Sequence, residues 1–211
     1  MKKSFFFLFL IATLMQACGP SQRITSYWAN KEAMPKEPYK TIYIMAIAQN
    51  ENLQPAIENE LADVLISRGR KVMMNSQIYP PSFSAVKQLS KEQLIETIAN
   101  TGSGGVITLA VLDTKTETTY NQGANYAPMS YGYYGSYYGY YNHYYPVVYS
   151  PGYYSTNKTY YIETNFFDVK TDQLLWSIQS TASNPSSLES FFKEYSVTIL
   201  KKLREEGLID K

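Results

Sequence analysis

The stretch "KTYYIETNFFDVKTDQLLWSIQSTAS", residues 158–183, holds two runs of alternating character joined across Thr171 and Asp172. Alternation with period two puts successive side chains on opposite faces of a strand, and a short polar link between two such runs predicts an antiparallel hairpin. Working outward, "YKTIYIMAIA", residues 39–48, is apolar on both faces and partly β-branched, as expected of a strand buried in the middle of a sheet. After it, Leu53, Ile57, Leu61, Val64 and Leu65 share one helical face, with Glu58, Glu60 and Asp63 off it. Arg68, Gly69 and Arg70 suit the end of that helix, the cations through its dipole and the glycine as a cap.

A short strand, "KVMMNS" at 71–76, precedes Pro80 and Pro81, which break the chain. Ser90 with Gln93 forms a capping-box pattern for a second helix reaching Asn100, with Leu94, Ile95 and Ile98 facing inward. "TGSGG", 101–105, turns the chain into a long strand, "GVITLAVLDTKTETTY". A last helix places Leu188, Phe191, Phe192, Tyr195, Ile199 and Leu203 on one stripe. The order β-α-β-α-β-β-β-α predicts an α+β domain: a mixed β-sheet with helices packed on it and a long Tyr/Gly-rich loop between two strands.

The N-terminus supplies an address. Lys2 and Lys3 precede an apolar run from Phe5 to Met15, too short to span a bilayer, and a small residue, Ala17, stands before Cys18. Residues 1–17 are read as a lipoprotein signal peptide, residues 18–38 as a lipidated cysteine and flexible tether rich in proline and small polar groups, and 39–207 as one domain. Cys18 is the one cysteine of the chain, so no internal disulfide forms, and acylation would consume an otherwise reactive thiol. Ala17 fits a lipobox; Met15 and Gln16 depart from its usual form, as happens in Bacteroidetes lipoproteins. In the lipoprotein-sorting logic that this segment resembles, Gly19 rather than Asp after the cysteine favours the outer membrane. No acidic cluster follows, which favours the periplasmic leaflet over the cell surface.

"TIYIMAIA", the helix ending "SRGRKVM", "GGVITLAVLDTKT" and "FFDVKTDQLLWSIQSTAS" together resemble the small envelope lipoproteins with the fold of the TolB N-terminal domain. The curli-secretion lipoprotein and the lipoprotein activators of penicillin-binding proteins share that fold. The recurring element is an aromatic strand, an Asp-x-Lys-Thr turn and a strand carrying Trp: here Phe166, Phe167, Asp168, Lys170, Thr171 and Trp176. The resemblance implies a non-catalytic binding or assembly component. Fold alone does not set the partner.

Chemistry is sparse. The one histidine, His143, has no neighbouring carboxylate in sequence to orient it, and one His with one lipidated Cys cannot build a zinc site. "TGSGG" precedes a strand rather than a helix, the wrong setting for a phosphate cradle. No catalytic residue, metal site or cofactor is assigned. The alternative function is a cell-wall glycan- or peptide-acting enzyme using carboxylates, drawn from Glu58 with Glu60, Glu117 with Glu163, or Glu205 with Glu206; each is simpler as a solvated face.

A formal net charge of +1 at pH 7, with both signs interspersed, points to neither nucleic acid nor an anionic surface. The segment 121–158 is read as a low-complexity insertion. From Asn121 to Asn157 it has no charged residue, and thirteen tyrosines lie between Tyr126 and Tyr154. Four readings stay open for it: an idle disordered insertion, a binding surface, a self-associating segment, or a single-stranded nucleic-acid platform, the last lacking the cationic track it needs. A mobile adhesive arm fits this composition, and a core does not. The expected contact residues are Tyr133, Tyr134, Tyr137, Tyr138, Tyr140, Tyr141, Tyr144 and Tyr145. The expected partners are the membrane through the lipid on Cys18, and another envelope protein, peptidoglycan or a second copy of the chain; nucleic acid is excluded.

Overall fold

The computed structural model describes residues 21–50, 52–80, 89–116, 135–149, 158–183, 185 and 187–210. Its strands are β1 (Ser21–Ala29), β2 (Thr41–Ile47), β3 (Lys71–Met74), β4 (Gly105–Thr116), β5 (Lys158–Asp168) and β6 (Leu174–Ser183). Its helices are α1 (Leu53–Ile66), α2 (Asn75–Ile78), α3 (Lys91–Asn100), α4 (Tyr137–Val148) and α5 (Leu188–Glu205). The six strands form one mixed sheet in the order β1-β6-β5-β4-β2-β3. β4, β2 and β3 run parallel, while β1, β6, β5 and β4 pair antiparallel. The α+β class and the late meander stand as the alternation of 158–183 predicts.

Both faces of the sheet are covered, and this explains the near-continuous apolar run in β2. On one face Ile42, Ile44, Ile107, Phe166, Trp176 and Ile178 meet Ile57, Leu61 and Leu65 of α1 and Phe191, Tyr195 and Leu203 of α5. On the other, Tyr43, Met45, Val106, Ala110 and Phe167 meet Leu94 and Ile98 of α3 and Tyr137, Tyr140 and Tyr144 of α4. The ends of the elements follow local chemistry. The capping box of α3 is complete, with Ser90 Oγ accepting from Gln93 N and Gln93 Oε1 accepting from Ser90 N. Gly69, past the end of α1, has φ +74, open to glycine at little cost.

Four expectations are corrected. Residues 21–29, inside the expected tether, are an edge strand paired with β6. Pro20 stands just before this strand and Pro35 and Pro38 after it, so no proline interrupts its ladder, and an edge strand tolerates polar residues because one side faces solvent. Within the connection between β4 and β5, Tyr137–Val148 is a helix and supplies core. The tight hairpin at Thr171 and Asp172 is a five-residue link, 169–173, in which the Asp168 carboxylate accepts from Thr171 N (2.7 Å) and Thr171 Oγ1 (2.8 Å). Ile95 is 38% exposed, on the outer side of α3.

Candidate functional site

The tyrosine helix is the centre of the candidate site. Ser136 caps α4, its Oγ accepting from Gly139 N at 3.0 Å, and Asp172 in the β5–β6 link accepts from Tyr137 N at 2.9 Å. Asp172 adopts φ 56, a conformation that Asp tolerates better than most side chains. The hairpin thus fixes where α4 begins. Tyr137, Tyr140, Tyr141, Tyr144 and Val148 recur at helical spacing and are buried against the sheet. An aromatic side chain buries about 150–250 Å². Tyrosines therefore supply most of the apolar face of α4, with Val148 the one aliphatic side chain of the stripe. Pro146 cannot donate to the helical ladder, and the helix stops two residues later.

Beneath α4 lies a buried polar network. Glu163 on β5 has no exposed surface, and its carboxylate accepts from Tyr144 Oη (3.1 Å) and Gln179 Nε2 (2.9 Å) on Oε2 and from Asn165 Nδ2 (3.1 Å) on Oε1. Tyr140 Oη donates to the Glu163 carbonyl at 3.3 Å. The next row across the sheet, Thr108, Asn165 and Ser177, is also buried, and Thr108 Oγ1, Asn165 Oδ1 and Ser177 Oγ have no partner among the described residues.

A second buried carboxylate, Glu58 on α1, accepts from Ala46 N (2.9 Å) and Ser76 N (2.8 Å) and ties β2 to the start of α2. Burial pushes it up to about 7, partly opposed by those same donors. The expectation that Glu58 and Glu163 belong to solvated faces is overturned, because each has backbone or side-chain donors placed to take it out of water. Glu206 sits at the surface with Lys31 and Tyr27, and Glu205 pairs with Lys202 at 2.7 Å. Asp168 and Trp176 are a turn and a core residue: burial opposes ionisation of Asp168, but the hydroxyls of Tyr39 and Thr171 and the turn amides hold its carboxyl below the usual range.

Beside α4 is a narrow cleft at the C-terminal end of β2, where open sheets of parallel strands commonly place ligands. Tyr141, Tyr145 and Tyr149 line it from α4, with ring centroids 5.2 and 4.5 Å apart, and Gln54, Asn75 and Tyr79 line it from the opposite side. The Tyr43 hydroxyl donates to Asn75 Oδ1 at 2.9 Å, and Gln54 Nε2 donates to the Ala48 carbonyl at 3.0 Å and to Tyr149 Oη. The cavity volume is about 20 Å³, room for one water, so the aromatic rim is what a larger partner would meet.

Of the expected contact residues, Tyr137, Tyr140, Tyr141 and Tyr144 are buried within the chain, Tyr145 is partly exposed on the rim, and Tyr138 is partly exposed beside Lys91. Tyr133, Tyr134, Cys18 and Glu117 lie outside the described residues, and with Glu117 so does the expected Glu117–Glu163 pair. His143 lies half-buried on α4 against the Tyr144 ring. Gln54, Asn75, Tyr79 and Tyr149 were missed as rim residues. Tyr149 alone carried a signal, as the next step of the four-residue ladder from Tyr141 and Tyr145.

The fold and site define an α+β sheet protein with helices on both faces and an aromatic helix closing one of them. No protein-family description matches the chain. No curated protein matches it either. Among solved structures it is similar to the PelC dodecamer from Paraburkholderia phytofirmans (13% identity, 91% of this chain and 100% of that one, TM-score 0.44). It is also similar to the lipoprotein GNA1162 from Neisseria meningitidis (11% identity, 78% and 98%, TM-score 0.41). At these values no residue role or activity is carried across.

Proposed function

We propose that this chain is a non-catalytic binding or assembly component of the bacterial cell envelope, held at the periplasmic face of the outer membrane by lipid on Cys18. Its contact surface is the outer side of α4 and the cleft rim. The observation that carries this reading is the two-sided use of the tyrosine helix: Tyr140 and Tyr144 are spent on the core, while the partly exposed rings of Tyr145, Tyr149 and Tyr79 line one edge of the cleft. Such groups bind proteins and sugar faces at low entropic cost.

The buried acids support the binding reading over hydrolysis. Glu58 and Glu163 are fully buried and held by donors of the fold itself, whereas a glycosidase carboxylate must face its substrate. The partner is another envelope protein, peptidoglycan or a second copy. Site-specific photo-crosslinking in intact envelopes tests the surface. A photoreactive residue at Tyr145 or Tyr138 is expected to give an adduct of defined mass that is absent when the probe replaces Val197, exposed on α5. No adduct at either tyrosine, in protein that fractionates with the envelope, would contradict the assignment.

A further inference from the structure

We infer that the end of the sheet opposite the β5–β6 link rests on phospholipid headgroups, an inference that depends on the acylation of Cys18. Ser21 begins β1 three residues after Cys18, and three residues reach at most about 11 Å. A lipid on Cys18 therefore holds the start of β1 at the bilayer surface with no slack for a free-swinging domain.

The register carries that contact across the sheet. Ser21 pairs with Ser183, Ser183 with Thr159, and Thr159 with Lys115, so four strand ends share one row. At about 4.8 Å per strand, Lys115 lies roughly 15 Å from Ser21, along the same edge. The last three residues of these four strand ends contribute Arg23, Lys115 and Lys158, all exposed, and no carboxylate. The first turn of α5 adds Glu189 on the chain leaving β6. Cations at a membrane surface are drawn to anionic headgroups. The far end is different: the 169–173 link carries Lys170 between Asp168 and Asp172.

Depth-resolved quenching tests the orientation in the full, acylated chain. Cys18 is the one native cysteine, so K115C, K158C and K170C can each be labelled singly with a fluorophore. The probe surface is a phosphatidylethanolamine–phosphatidylglycerol vesicle doped with a headgroup quencher. An eleven-residue strand separates the two ends by about 35 Å. Quenching at positions 115 and 158 several-fold above that at 170 is expected; equal quenching, or stronger quenching at 170, overturns the orientation. The anchor is scored separately by mass. A Cys18 peptide without acyl mass, or a C18S chain that stays with the membrane unchanged, removes the anchor and the orientation with it. An acylated chain with inverted quenching removes the orientation alone.

Discussion

Glu58 shows how a single buried group sets a pH dependence. Its folded pKa, about 7, lies above its unfolded value, so the folded state binds more protons between roughly pH 4.5 and 7. Its contribution to stability is complete below the unfolded pKa and is lost as pH rises through about 7. The melting temperature is therefore expected to fall between pH 5 and pH 8 by more in the native chain than in Glu58→Gln; equal falls would contradict the assignment. The same variant is less stable at pH 5, because one of the two donors, Ala46 N or Ser76 N, then faces an amide NH2, at a cost of about 1–3 kcal/mol. Gly105 is constrained by space instead: a Cβ there would overlap the Phe166 ring. Gly105→Ala is expected to cost about 1–3 kcal/mol in chemical denaturation, and a neutral result would mean that Phe166 can move aside.

At the scale of elements, α4 divides its tyrosines between two tasks. Tyr140→Ala is expected to destabilise by about 3–5 kcal/mol, whereas Tyr138→Ala, whose ring is only partly buried against the core, is expected to cost less. Tyr144→Phe removes one of the donors to Glu163 and is expected to cost about 1–3 kcal/mol. Similar losses for Tyr138 and Tyr140 in urea titrations would mean that α4 does not pack as described. The hairpin strands were legible through their alternation, β2 through its continuous apolar run, and α1, α3 and α5 through their helical period, with a capping box marking the start of α3. β1 was not, since an edge strand with Arg23, Thr25 and Tyr27 alternating against Ile24 and Ser26 presents no consistent apolar face. α4 was hidden differently. Tyrosine at almost every position erases the contrast between inner and outer sides, although positions 137, 140, 141, 144 and 148 do keep helical spacing behind a Ser136 cap. The buried state of Glu163 was hard to read, because two of its three donors come from α4 and β6 and meet it only in three dimensions.

At the scale of the whole molecule, the sheet separates two cores, one closed by α1 and α5 and the other by α3 and α4. Removing residues 121–157 would uncover Ala110, Phe167 and the Glu163 network, so that deletion is expected to aggregate or to lose cooperative unfolding rather than to yield a trimmed, folded domain. The tyrosine segment is thus structure first and contact surface second. Amide hydrogen exchange across 136–149 measures this most directly. Protection of Tyr140 to Tyr144 comparable to that of β4 and β5 is expected for a helix docked on the core. Exchange at the rate of an unstructured peptide would contradict it and return every tyrosine of the run to solvent.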